Sequence, residues 1–172
     1  NIDPLWTIDL SEPTDPQIIG ELEIPGVSTY IHPMGDNHLL TIGIAGDEDG
    51  LHWGVTQISI FDVSDFSNPK LASSLQLNPA SSEDNGWSYS YSEATYEHKA
   101  FQYWEADGLL AIPISTQRYY SDSQEIDGEM YYSSGYEYLS KLMLIKAEPG
   151  TDLEIYDEVD HSSFYDSNYW WD

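Results

Sequence analysis

The 172-residue chain contains no cysteine, which excludes disulfides and thiolate metal centres and leaves the redox character of its compartment unread. Basic residues are nearly as scarce: five Lys and Arg stand against 31 Asp and Glu, a formal charge of −26. Affinity for phosphate backbones comes mainly from basic side chains, so a nucleic-acid partner is not expected, and the same repulsion disfavours an anionic membrane face. No apolar run approaches the roughly 20 residues of a spanning helix, so membrane insertion is not expected either. The chain begins at Asn1 without a basic-then-apolar leader; any export signal is expected to have been removed or to lie upstream. Also missing are a Gly-x-Ser-x-Gly elbow and a phosphate-cradling glycine loop, so nucleophilic hydrolysis and nucleotide chemistry have no sequence support.

What the chain does have is aromatic and β-branched residues. Phe, Trp and Tyr make up 14% of it, and Thr, Ile and Val recur in short alternating runs of the kind that suits a pleated surface. An internal repeat orders these runs. Residues 8–26, IDLSEPTDPQIIGELEIPG, superpose without a gap on residues 61–79, FDVSDFSNPKLASSLQLNP. Asp9 falls on Asp62, Ser11 on Ser64, Pro16 on Pro69 and Leu22 on Leu75. Each copy reads as a hairpin: an alternating strand ends at Asp-aliphatic-Ser, a proline-containing turn follows, and a second strand runs back. Asp and Ser accept from nearby backbone N–H groups at such a corner, while proline presets φ, so these residues are assigned no chemistry.

Between the two corners lie short strands at 28–34 and 38–45, separated by the turn Gly35-Asp36-Asn37, which makes four strands per repeat. The pattern resumes at 100–105, the Asp107-Gly108 turn and 109–115. Residues 116–138 are polar and Tyr-rich and read as a long loop insertion. Strands at 139–147 and 153–159 flank a third corner, where Lys146 stands in place of the aspartate. Four antiparallel strands at roughly 40 to 50 residues per unit is the signature of a propeller blade. The expected fold is all-β, a partial β-propeller of about two and a half four-stranded antiparallel blades: a half blade at 1–26, a blade at 27–79, a blade at 80–160 carrying the 116–138 insertion, and the start of another at 161–172. A closed ring needs about four to eight blades, so the remainder of the propeller or another copy of the chain is expected to cover its open edges.

The segments DPLWTIDLSEPTDPQIIGELEIPGVSTYIHPMGDNHLL, ISIFDVSDFSNPK, YSEATYEHKAFQYWEADGLLAIPIS and VDHSS, in that order, resemble the secreted bacterial proteins that contain a C-terminal β-propeller domain. The resemblance implies a propeller longer than this chain, exported to the periplasm, cell surface or medium, and without an established reaction. The departures are the 116–138 insertion and the acidic balance.

Several groups are candidates for chemistry. Asp47, Glu48 and Asp49, flanked by Gly46 and Gly50, offer hard oxygen ligands in a flexible turn. They read as a calcium site or, alternatively, as a solvated acidic turn. The histidines are scattered, with no pair at zinc spacing. His98, near Glu93 and Glu97, is either an imidazole oriented for acid–base work or a buried, hydrogen-bonded histidine at a strand end. Trp87, Tyr89, Tyr91, Trp104, Tyr119 and Tyr120 are either rings for stacking on sugars or gripping a peptide, or core residues between sheets. The functional expectation is a non-catalytic module that binds or scaffolds a protein or polysaccharide at the cell exterior, braced by calcium. The alternative is an extracellular hydrolase using Glu93 and Asp107 as acid and base.

Overall fold

A computed structural model of the chain describes residues 4–47, 50–77 and 88–164. Among these residues it is all-β and forms three antiparallel sheets. The first pairs β1 (Leu5–Asp9) with β2 (Gln17–Leu22). The second runs β3 (Val27–Met34), β4 (His38–Asp47), β5 (Gly50–Asp62) and β6 (Lys70–Leu77) in chain order. The third orders β11 (Glu154–Asp160), β10 (Glu129–Lys146), β9 (Leu109–Ile126) and β7 (Ser88–Tyr91), with β8 (Gln102–Trp104) also on β9. It has five strands rather than four because its innermost strand is broken by short 3₁₀ turns at Glu93–Thr95 and His98–Ala100. The strand expected over 100–105 is thereby shortened to Gln102–Trp104.

The repeat seen in the sequence extends to details of the ladder. In β1/β2, Thr7 faces Gly20 and Ile8 faces Ile18, leaving Ile19 as an extra residue. Ala72 is the extra residue in β5/β6 and Tyr156 in β10/β11. Ile19 and Ala72 are 53 positions apart, the spacing of Asp9 and Asp62, so one bulge stands at equivalent places and bends each outer strand alike. The corner is also tied inward twice: Val63 donates its N–H to the Asn37 carbonyl and Ala147 donates to the Gly108 carbonyl, each at 2.8 Å. Lys146, which replaces the corner aspartate, reaches the Asp107 carbonyl at 3.3 Å and lies 5.1 Å over the ring of Tyr156.

Packing between sheets explains which residues alternate and which do not. Along β5, Thr56, Ile58, Ser59, Ile60 and Phe61 are all buried, as a strand covered on both faces requires. Ile58 and Ile60 join Met34, Leu40 and Ile42 in one cluster with Leu110, Ile112 and Ile145 of the next sheet. Each outer corner rests on the sheet before it. Thr7 donates its hydroxyl to the Phe66 carbonyl, and Leu153 donates its N–H to Ser73 Oγ at 2.9 Å. Gly20, at the repeat position of Ser73, has no room for a side chain, because a Cβ would overlap the Phe66 carbonyl oxygen.

Residues 116–138 are not a loop. They continue β9 and β10 as a paired ribbon, in register from Thr116 opposite Leu139 to Ile126 opposite Glu129. Its tip is the two-residue turn Asp127-Gly128, with φ of 53° and 83°. Positive φ at both positions is the turn geometry that matches strand twist in a hairpin.

Two outcomes follow from this packing. Gly20→Ala is expected to cost about 1–3 kcal/mol in urea unfolding of the full chain, as overpacking against backbone does; an unchanged midpoint contradicts the corner-on-sheet contact. Hydrogen bonds from Ser11 hold the Asp9 carboxyl below its ordinary value, its backbone N–H more than its hydroxyl, and hydrogen bonds from Ser64, chiefly its side chain, do the same for Asp62. A depressed folded pKa contributes stability above the unfolded value that is lost as pH falls through the folded one. Asp62→Asn is therefore expected to flatten the loss of thermal stability below about pH 4, measured as melting temperature against pH.

Candidate functional site

The second and third sheets meet at a cleft. Its floor is made where β5 turns in at Gly54, whose φ of 95° is open to glycine and strained for other residues. The Tyr89 ring of β7 lies against this glycine, in the place a Cβ would occupy. Ser90 pins the junction: its hydroxyl donates to the Leu77 carbonyl at 2.7 Å and accepts from the Thr56 N–H at 3.3 Å. One residue beyond β7, Ser92 donates to the Pro113 carbonyl at 2.6 Å and caps the following 3₁₀ turn by accepting from Ala94 N–H at 3.2 Å. That turn buries Ala94 completely and sets Tyr96 on the rim.

The result is a cleft of roughly 240 Å³ lined by Gly43, Trp53, Tyr89, Ser90, Tyr91 and Tyr96 among others. Its rings face water. Trp53 is 74% and Tyr96 75% exposed, and Tyr89 and Tyr91 are more than 40% exposed. Tyr89 and Tyr91 lie 6.1 Å apart, tilted by 48°. Ser90 is buried and its hydroxyl is spent within the protein, and Thr95 donates its own to the Ser92 carbonyl at 2.7 Å, so the arrangement offers flat apolar faces whose polar groups are the phenol hydroxyls and the indole N–H at the ring edges.

A second aromatic group is structural. His32 packs against Phe101 at 5.6 Å and Tyr103 at 5.7 Å, and Tyr103 donates its hydroxyl to the Ala147 carbonyl at 2.9 Å. Burial, followed by the charges of Glu105 and Glu148, pushes the Tyr103 phenol above its ordinary value, which keeps it a neutral donor.

The residues singled out from the sequence fall in different places. Asp47 ends β4, and its Oδ2 sits 2.6 Å from His52 Nε2, both side chains about half exposed. Glu48 and Asp49 lie outside the described residues, among which no group of three or more His, Asp and Glu gathers around a common point. His98 is exposed rather than buried. Its Nδ1 is 3.6 Å from Glu97 Oε1, and that oxygen already accepts from Lys99 N–H at 3.0 Å as the cap of the turn. A histidine in an exposed 3₁₀ turn has no apolar wall to enter. Glu93 and Asp107 are both exposed and belong to separate 3₁₀ turns beside different parts of β9. Of the aromatics, Tyr89 and Tyr91 line the cleft and Trp104 is half exposed on β8. Tyr119 sits in the ribbon, and Trp87 lies outside the described residues. Trp53 and Tyr96 were not singled out. The sequence mark for Trp53 is the pair Gly50 and Gly54 around it, both at positive φ.

The family model described as "Beta propeller domain" matches residues 1–171. An uncharacterized protein of Methanocaldococcus jannaschii is 39% identical over 117 residues, covering 68% of this chain and 16% of that protein. An uncharacterized protein of Archaeoglobus fulgidus is 30% identical over 176 residues, covering 98% of this chain and 23% of that protein. The chain thus spans less than a quarter of the length of these curated relatives, both of them archaeal. No solved structure matches.

Proposed function

Because the chain belongs to the beta propeller domain family, we propose that it is a non-catalytic binding and scaffolding module, and that the cleft between its second and third sheets holds a neutral polysaccharide. The observation that carries this reading is the set of four solvent-facing rings, Trp53, Tyr89, Tyr91 and Tyr96, around one opening. Aromatic faces of that size kept in water at a single place mark an interaction site. Sugar rings present flat C–H faces to stack on them and hydroxyls to the phenol and indole groups at the ring edges. A surface charge of −26 repels polyanions, which favours a neutral polymer over an acidic one.

The scaffold part of the reading concerns the two outer sheets. Trp6, Ile8, Leu10 and Ile18 are exposed on or beside the first, and Ile155 and Val159 on the last; further blades of a longer polypeptide would cover them, and another copy of the chain is the alternative. Location at the cell exterior belongs to the same proposal and is checked by fractionating cells that express the full-length protein. Calcium bracing of the turn after Asp47 is a subsidiary part, supported by the oxygen-rich composition of 47–49.

In affinity electrophoresis against soluble glucans, mannans and galactans, the full-length protein is expected to be retarded by at least one. Trp53→Ala and Tyr96→Ala should each weaken that interaction by about 2–10-fold, the range of a single stacking contact. Retardation by none of the polymers, or unchanged retardation of both variants, refutes the assignment.

A further inference from the structure

Beyond the third sheet, β9 and β10 project as a two-stranded ribbon, and their register decides which side chains share a face. Gln117 lies opposite Tyr138, Tyr119 opposite Tyr136, Ser123 opposite Tyr132 and Glu125 opposite Met130. Directly opposed residues point the same way and alternate along the strand. One face therefore collects Tyr119, Tyr132, Tyr136, Tyr138 and Met130. Tyr119 and Tyr136 meet edge to face at 5.5 Å, and Tyr138 accepts from Gln117 Nε2 at 2.9 Å. Even so, Tyr132 is 78% exposed, Tyr136 57%, Met130 50% and Tyr138 47%.

A two-stranded hairpin is marginally stable in water on its own. This one keeps large side chains in solvent from Met130 to Tyr138. The charge of the ribbon is one-sided: Glu125 shares the tyrosine face, Asp127 stands in the turn, and Asp122, Glu129 and Glu137 lie on the opposite face with Arg118, which is already paired with Glu137. A second copy would bring the same carboxylates and be repelled. Guanidinium and ammonium groups, in contrast, are attracted to tyrosine faces and to a carboxylate beside them, within a chain whose net charge is −26.

We infer that the tyrosine face of this ribbon docks an extended, Lys- and Arg-rich segment of a partner protein. The side chains of such a segment lie over Tyr132, Tyr136 and Tyr138, with a charged end toward Glu125, which shares that face. This site is separate from the cleft, and neither depends on the other.

The test uses the full-length protein and a fluorescent peptide of alternating Arg and Gly, read by anisotropy at about 150 mM salt. The triple variant Tyr132→Thr, Tyr136→Thr, Tyr138→Thr keeps the net charge and strand-favouring side chains. It is expected to bind the peptide about tenfold more weakly, the loss of three cation–π contacts, while Trp53→Ala binds as the parent does. Amide exchange at 129–138 is expected to slow when the peptide is added. Should the triple variant lose its ribbon, Glu125→Gln must show the weakening instead. Equal binding by parent and variants overturns the proposal, because the acidic coat alone then holds the peptide. Slow exchange at 129–138 before peptide is added also overturns it, since the face is then covered by a second copy, told by mass in solution, or by the rest of the chain.

Discussion

Leu40, Ile42, Ile58 and Ile60 on one sheet and Leu110, Ile112 and Ile145 on the next are withdrawn from water against each other, and the positions of the other elements follow from that contact. Burial of a large aliphatic side chain contributes about 1.5–3 kcal/mol; seven of them at one interface dominate the polar links around it. Neither sheet can bury this stripe alone. Stacking therefore supports folding of both sheets, and what lies at the seam between them, the Ser90 pin and the aromatic cleft above it, is held by that contact. The 3₁₀ turns that interrupt the third sheet belong to the same seam, since Ala94 and Phe101 enter the cluster and so fix where Tyr96 emerges.

Much of this order can be read from residues alone. The two aspartate-serine corners gave the repeat, and the repeat gave all-β hairpins stacked as blades, because alternation and turn chemistry are local properties. Their carboxylates do what such residues do at corners: Asp9 Oδ1 accepts from Ser11 N–H at 2.8 Å and Asp62 Oδ1 from Ser64 N–H at 2.9 Å. The Tyr-rich stretch was misread as loop for a physical reason. A ribbon wet on both sides needs no aliphatic face, so it lacks the apolar alternation by which strands are recognised. Its Asp127-Gly128 turn, flanked by residues that pair across it, was the available signal.

The cleft was legible only in part. Tyr89 and Tyr91 drew attention as rings near loops, but Trp53 reaches them from another sheet, and no spacing rule connects residues joined only by packing. The acidic turn shows the opposite difficulty: composition suggested a ligand set, whereas Asp47, the member whose surroundings are described, faces His52. A carboxylate engaged with an imidazole contributes to an exposed hairpin end as readily as to a cation, so residue type was an uncertain guide there.

The extra residue at Ile19, Ala72 and Tyr156 has a consequence for how such chains change length. Since the outer hairpin of each sheet departs from regular pairing at one shared station, neighbouring sheets carry the same curvature and present the same shape to whatever follows. A duplication or excision in phase with that station swaps like for like, whereas one out of phase leaves two surfaces that do not mate. Growth by whole units is thus the route the geometry leaves open, and a segment such as 116–138, which leaves the stack beyond the last shared contact, can lengthen freely without disturbing it.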